Sequence, residues 1–386
     1  KNFLIMEQTA GPLGWSVFSK NPQPGELRKI CYQQLAHGAD GQIWFRWRTS
    51  TVGREQYWHG LLGHDGKANR RYREAAQVAR EYRKLAPYLA GTTPRPPVAI
   101  IYDYDSIWAL KFQPGYPEAA HPEAIKRYYH ALFRAGVNAD IVRPGDDLVG
   151  YKLVLAPHLH VLRDDVAKQL VEFVRSGGVL LADCRTAVKD ETNLAYDRTL
   201  PGLLSPALGI EIGEYESLSL GISDKETTKY RMQTDDALGG TYTVLHYADW
   251  ISPTTAKALA RYDQPHLKEF AAVTRNEFGD GVGWYVGTLI EETDFYDALI
   301  ANILKDADIR PLGKPPAGVE LAQRQGDERA LLFVINHTAD EQNVAVPAAK
   351  QELLSGHETG ETIELAAFGV AVIELPAADA RRDENQ

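Results

Sequence analysis

The chain has 386 residues, 44% of them apolar and 24% charged, with a formal net charge of −10. That length exceeds one ordinary core, so two or three domains are expected. The acidic balance argues against a nucleic-acid partner, which calls for clustered Lys and Arg. No apolar stretch approaches the roughly 20 residues that cross a bilayer. Two cysteines, Cys31 and Cys184, form neither a disulfide framework nor a metal-ligand set, and point to a reducing compartment such as the cytoplasm.

Residue 1 is Lys, and Phe3-Leu4-Ile5-Met6 reads as a buried strand. A domain seldom opens in mid-core, so an N-terminal region absent from the sequence is expected. A loop rich in Gly and Pro follows. Glu26 to His37 has helical spacing and stops at Gly38, as a C-cap would. Gly41 to Arg48 alternates like a strand, and Asn69 to Leu85 is a charged amphipathic helix. The order is strand, helix, strand, helix, which is the grammar of α/β proteins.

Gly91 to Pro97 reads as a linker, after which the strand–helix grammar restarts. Strands are expected at Val98–Tyr102, Ala139–Val142, Leu153–Ala156 and Gly178–Ala182, with helices at Pro122–Ala135 and Asp164–Arg175. This is the pattern of a doubly wound parallel sheet. Residues 205 to 290 are richer in β-propensity and turns; Gly283–Gly287 reads as a late strand and Phe295–Lys305 as a closing helix. After a second linker, Pro311 to Pro316, short strands dominate: Ala330–Asn336, Gln342–Val346, Lys350–Leu353, Glu361–Leu365 and Gly369–Leu375. A small antiparallel β domain fits them, with a frayed tail from Ala377 to Gln386.

Glu7 ends the first apolar run, where the strand should give way to a loop. Strand C-terminal ends carry the catalytic groups of α/β barrels. Trp15 follows closely, and aromatic planes beside carboxylates suit sugars, whose C–H faces pack on rings while their hydroxyls seek charged acceptors. Pattern alone favours a plainer reading, a strand-end glutamate held in a loop ion pair. The second strand repeats the arrangement with Phe45, and the loop after it carries Glu55 and His59, both able to bond sugar hydroxyls. Here too pattern alone favours a plainer reading, a solvated loop with a packed aromatic core beneath it.

Taken together, Met6-Glu7-Gln8, Gly14-Trp15, Asn21 to Arg28, Gly38-Ala39-Asp40, Phe45-Arg46-Trp47-Arg48 and Glu55 to Gly60 resemble the last two βα units of family 42 glycoside hydrolases. These are retaining β-galactosidases on a (β/α)8 TIM barrel. The resemblance implies Glu7 as nucleophile at the end of the seventh barrel strand. It implies Trp15 stacking beside galactose, Phe45 lining the sugar subsite, and Glu55 and His59 binding its hydroxyls. Many relatives space the last pair as Glu-x-x-His, whereas here it is Glu-x-x-x-His. The acid/base glutamate follows an Asn at the end of the fourth barrel strand in the family, and no carboxylate of this chain matches it.

The resemblance extends along the chain and implies a multidomain α/β protein in three parts. Residues 1–90 would be the C-terminal portion of the barrel. Residues 97–310 would be a glutamine-amidotransferase-like (flavodoxin-like) trimerisation domain. Residues 318–376 would be the small antiparallel β domain. It implies a β-galactoside oligosaccharide substrate, a homotrimer, and no required cofactor; the structural zinc of some relatives sits on cysteines outside the matched residues.

Three other readings compete. The chain alone, lacking the acid/base residue, is expected to be inactive and could serve as an oligomerisation module. The specificity could instead be for α-L-arabinopyranosides, which lack only the hydroxymethyl of galactose. Finally, Cys184 follows a strand in the amidotransferase-like part. It lacks the flanking glycines and the placed His that a catalytic thiolate requires, so a packed cysteine is expected there.

Overall fold

The computed structural model describes residues 2–116, 119–220 and 228–376. It divides into two compact units, one of residues 1–95 with 311–386 and the other of residues 96–310. The expected frayed tail lies outside the described residues. Among those described, no helix is long and apolar enough to cross a membrane.

In the first unit, strand β1 (Phe3–Thr9), helix α1 (Glu26–Ala36), strand β2 (Ala39–Phe45) and helix α2 (Arg70–Leu89) form two successive βα units. β1 and β2 pair in parallel as a two-stranded sheet. Gly38, at φ 108°, gives the positive φ that turns the chain from α1 into β2. Asn69 caps α2, its side chain accepting from Tyr72 N at 3.2 Å. Two expectations need correction. β1 is not buried, for Phe3, Leu4 and Met6 are all exposed. It also runs on to Thr9, so Glu7 lies within the strand rather than at its end. β2 stops at Phe45, earlier than alternation suggested, because the chain turns there to bring Arg46 and Trp47 against Leu61 and Leu62 (Leu61 N donates to Arg46 O at 2.7 Å).

The second unit holds β3 (Val98–Ile101), α3 (Tyr104–Phe112), α4 (His121–Ala135), β4 (Ala139–Val142), β5 (Leu153–Ala156), α5 (Asp164–Arg175) and β6 (Val179–Asp183). A short α6 (Ser205–Leu208) follows, then β7 (Ile210–Ser217), β8 (Tyr230–Thr234), β9 (Thr241–Pro253), β10 (Lys257–Tyr262), β11 (Ala271–Phe278), β12 (Gly281–Val286), β13 (Thr288–Ile290) and α7 (Thr293–Asp306). All these strands join one sheet. Its parallel half runs β4-β3-β5-β6-β12. Side chains along β3, β5 and β6 go alternately to two cores: Val98, Ile100 and Leu155 pack with α4 and α7, while Ala99, Ile101 and Val154 pack with α5 and α6. A strand covered on both faces reads as a continuous apolar run, which is how these were legible. Beyond β12 the sheet continues antiparallel through β11, β10, β8 and β9, with β7 and β13 also on β9. This is the turn-rich, β-prone stretch of the sequence.

Helix α3 was not anticipated. Asp103 caps it, accepting from Asp105 N at 3.3 Å and Ser106 N at 2.7 Å. Only Ser106, Ala109 and Leu110 are buried, so its pattern carries little amphipathic signal.

The remainder of the first unit is antiparallel: β14 (Val319–Gln325), β15 (Arg329–Asn336) and β18 (Val370–Pro376) form one sheet, and β16 (Gln342–Ala345) with β17 (Thr362–Leu365) another. Lys350–Leu353 is not a strand but contributes isolated bridges, Gln351 to Glu358 and Glu352 to Ile373. One core unites Tyr32, Leu35 and Leu85 of α1 and α2 with Leu331, Phe333 and Val372 of β15 and β18.

Candidate active site

The residues singled out in the first segment lie on β1, on β2 and in the loops that follow them. β1 and β2 are parallel, so both loops leave the same end of the pair. Register explains how Glu7 is set. Ile5 pairs with Gln42, but the next partners are Gln8 and Trp44, so three steps on β1 oppose two on β2. The extra residue falls at Met6–Glu7, a bulge of the kind that re-aims a side chain. Gln8 is buried and turned toward α1, where Gln34 Nε2 donates to its Oε1 at 2.7 Å. Glu7, at the bulge, is exposed. Among the described residues its carboxylate has no hydrogen-bond or ion-pair partner. The loop ion pair that pattern alone favoured is therefore not formed.

The loop after β1 turns sharply at Gly14. A Cβ there would lie 2.0 Å from Val17 O, so only glycine allows the chain to fold back and present Trp15. Trp15 is exposed, its ring centroid 5.9 Å from that of Trp58. Trp58 in turn meets Phe45 edge-on at 5.9 Å. Trp15, Trp58 and Phe45 thus form a continuous run of rings joining the two loops. The backbone joins them as well: His59 N donates to Pro12 O at 3.0 Å. Gly60 lets the second loop fold back against its own start, since a Cβ there would stand 2.6 Å from Arg46 O.

Glu55 is clamped twice by Arg46, whose Nη1 donates to Glu55 Oε2 at 2.9 Å and whose Nη2 donates to Glu55 O at 3.1 Å. His59 Nδ1 lies 3.2 Å from Pro12 O and 3.0 Å from Tyr57 O. Both neighbours are acceptors, so Nδ1 carries the hydrogen and a neutral ring keeps Nε2 as acceptor. The structure thus draws Trp15, Phe45, Glu55 and His59 into one network, with Glu7 on the strand beneath the first loop. Two members were not singled out beforehand. Arg46 holds Glu55, and Trp58 links Trp15 to Phe45, with its indole Nε1 buried and without a hydrogen-bond partner among the described residues. Their signal was only their place beside chosen residues; the partners depend on how the loops fold. Among the described residues no group of His, Cys, Asp and Glu could hold a metal ion.

The second unit contains a different cluster at the ends of β5 and β6. His158 Nδ1 lies 2.9 Å from Asp183 Oδ1, its Nε2 2.5 Å from the Tyr116 hydroxyl, and Tyr128 donates to Asp183 Oδ2 at 3.0 Å. Cys184 is buried with Tyr116, Tyr247 and Leu289. Burial, then the charge of Asp183, pushes its thiol well above the ordinary value. Such a thiol is inert, and the nearby His158 is fully used by Asp183 and Tyr116. The packing supports a structural cysteine.

Comparisons with known proteins bear on both units. The profile described as β-galactosidase matches residues 1–85, that of the β-galactosidase trimerisation domain residues 97–310, and that of the β-galactosidase C-terminal domain residues 318–375. The chain is 31% identical to a β-galactosidase of Clostridium cellulovorans over 97% of its own length and 56% of the relative's. It is 33% identical to one of Halorubrum lacusprofundi over 98% of its length and 56% of that relative. It superposes on the crystal structure of a β-galactosidase from Bacillus circulans with a TM-score of 0.90 and 30% identity, covering 97% of the chain and 55% of that structure. The chain therefore spans about half the length of the relatives it matches. On these matches, which run through both units, the chain belongs to glycoside hydrolase family 42, the β-galactosidases.

Proposed function

We propose that these residues work as part of a retaining β-galactosidase that hydrolyses terminal, non-reducing β-D-galactose, with Glu7 as nucleophile. In this reading β1, α1, β2 and α2 are the last two βα units of a (β/α)8 barrel, residues 97–310 are an amidotransferase-like trimerisation domain of a homotrimer, and residues 318–376 are the small β domain. The observation that supports it is an exposed carboxylate on β1 without a partner among the described residues, with a run of aromatic rings and a clamped glutamate at the loops that follow β1 and β2.

Each group has a task. Glu7 attacks the anomeric carbon and forms a glycosyl ester as the leaving oxygen takes a proton. Trp15 and Phe45 offer ring faces to the C–H side of the sugar. Glu55 accepts from a sugar hydroxyl, and Nε2 of His59 can accept from another. The proton donor, which a retaining mechanism sets about 5–5.5 Å from the nucleophile, belongs to barrel strands outside these 386 residues. Once the aglycone leaves, that same group activates water, and the ester on Glu7 is cleaved with net retention. The chain by itself is then an assembly module without turnover. Both cysteines are buried and unlinked, which suits the cytoplasm.

The test uses a nitrophenyl β-D-galactoside. The complete gene product should hydrolyse it with retention, seen by NMR of the first-formed anomer, and Glu7→Gln should abolish turnover with an unchanged melting temperature. Hydrolysis by the purified 386-residue chain would sink the two-part mechanism, and an active Glu7→Gln enzyme would sink the nucleophile assignment.

A further inference from the structure

Helix α3 presents an aromatic stripe to solvent. Tyr104, Trp108 and Phe112 are 62%, 58% and 84% exposed. They stand four residues apart, so at 100° per residue they fall within about 80° of one another on one face. Tyr104 and Trp108 touch, with ring centroids 6.0 Å apart. Fully covered aromatics bury about 150–250 Å² each, so the stripe offers on the order of 400 Å². That is the size of a functional patch and about half of what one partner contributes to a stable interface. Asp105 flanks the stripe on one side and Lys111 on the other, about 120° apart around the helix. Among the described residues neither side chain has an ion-pair partner.

From this we infer that the stripe on α3 is the face by which the second unit meets a second copy of this chain, α3 against α3. The inference rests on the self-association proposed above and specifies its surface. The flanking charges support a copy as occupant. An acidic flank and a basic flank on opposite sides are complementary under rotation, each copy turning its Asp105 side to the Lys111 side of the next. Head-to-tail contacts of this kind close into rings. Tyr and Trp are also the residues that most often anchor interfaces.

Sedimentation velocity of the 386-residue chain tests this. The wild type should sediment as a trimer, and Trp108→Glu should raise the dissociation constant more than about 30-fold, leaving monomer at micromolar concentration. Phe112→Glu, at the last residue of the helix, should do the same and carries the test if Trp108→Glu misfolds by circular dichroism. Lys111→Glu should weaken assembly, and adding Asp105→Lys should restore it. Val149→Glu, at an apolar residue 87% exposed elsewhere in the same unit, should leave the trimer intact. A trimeric wild type whose Trp108→Glu and Phe112→Glu variants stay trimeric overturns the assignment of this face while self-association stands. A monomeric wild type overturns self-association itself and this face with it.

Discussion

Arg324 Nη2 donates to Asp40 Oδ1 at 2.6 Å, joining a guanidinium with no solvent exposure to a half-exposed carboxylate. The rest of the guanidinium is also used. Nε donates to Thr92 Oγ1, Nη1 to Leu35 O and Ala39 O, and Nη2 to Thr92 O, at 2.7–3.2 Å. One side chain of β14 thus ties the end of α1, the start of β2 and the linker together. Burial pushes the Asp40 carboxyl up, but hydrogen bonds from Arg324 and Asn2 outweigh it and hold it below the ordinary value.

Removing Arg324 takes a donor from three carbonyls and opens a cavity, although Leu35 O keeps Gly38 N and Thr92 O keeps Asn2 Nδ2. Arg324→Met should destabilise the first unit by about 3–5 kcal/mol. Asp40→Asn should cost only about 1 kcal/mol, because the carbonyl contacts remain and the carboxylate is already half in water. Urea unfolding of both variants would check this; equal losses would show that the ion pair, not the carbonyl cage, is what matters.

Arg46 is expected to act through Glu55. In the complete enzyme, Arg46→Met should leave Glu55 free to rotate and raise KM for a galactoside about tenfold, with a smaller fall in kcat. The pair is partly exposed, so stability should barely change. Arg46→Lys keeps the charge but not the double clamp and should recover only part of the loss. Unchanged KM in Arg46→Met would remove Arg46 from the site.

Glu320, on β14, is buried between His37 and His337, at 2.5 Å and 2.7 Å. Burial raises its pKa, but the hydrogen bonds from His337 and His37 prevail and set it at about 2. A depressed carboxyl stabilises the fold above its ordinary value, and that contribution disappears as pH falls from about 4.5 toward 2. The first unit should lose on the order of 3 kcal/mol across that window. Glu320→Gln should be less stable at pH 6 and should lack the acid-side descent; an unchanged descent would assign it to other groups.

Asp249, in β9, has the opposite sign. It is buried, and that burial raises its pKa to about 7 despite hydrogen bonds from the Tyr285 and Tyr247 hydroxyls at 2.8 and 3.0 Å. A raised carboxyl favours the fold most below its unfolded value and loses that advantage as pH rises through about 7. His160, whose pKa burial lowers to about 3, works against this trend, because the unfolded chain gains its proton below about 6.5. The clean measurement is therefore a difference. Asp249→Asn minus wild type should grow more favourable from pH 4 to 7, by on the order of 4 kcal/mol. A pH-independent difference would mean that Asp249 is ionised throughout.

Much of the fold is written locally. Apolar runs marked β3, β5 and β6 because both their faces are covered, and Gly38 and Gly136 marked helix ends because each adopts positive φ. What escaped depended on distant partners. α3 is short and buries only small residues and one leucine, so it lacks a helical stripe of core residues. β14 mixes Glu320, Gln323 and Arg324 into a buried strand, and those polar residues make sense only once His37, His337 and Asp40 arrive from other elements. At the site, Glu7, Trp15, Phe45, Glu55 and His59 could be singled out from residue type and motif. Trp58 and Arg46 could not, since their roles depend on how two loops fold onto each other.

The bulge at Met6–Glu7 has a consequence for assembly. In the described residues β1 and β2 form a pair whose outer edges are open to further strands. On a regular edge an incoming strand can slip by one residue, and each slip turns every side chain to the wrong face. A bulge breaks that equivalence, because spacing before and after it differs and only one alignment satisfies both. Glu7 sits at the irregularity, so the feature that aims its carboxylate also serves as an index mark, checking the alignment of whatever strand docks beside β1.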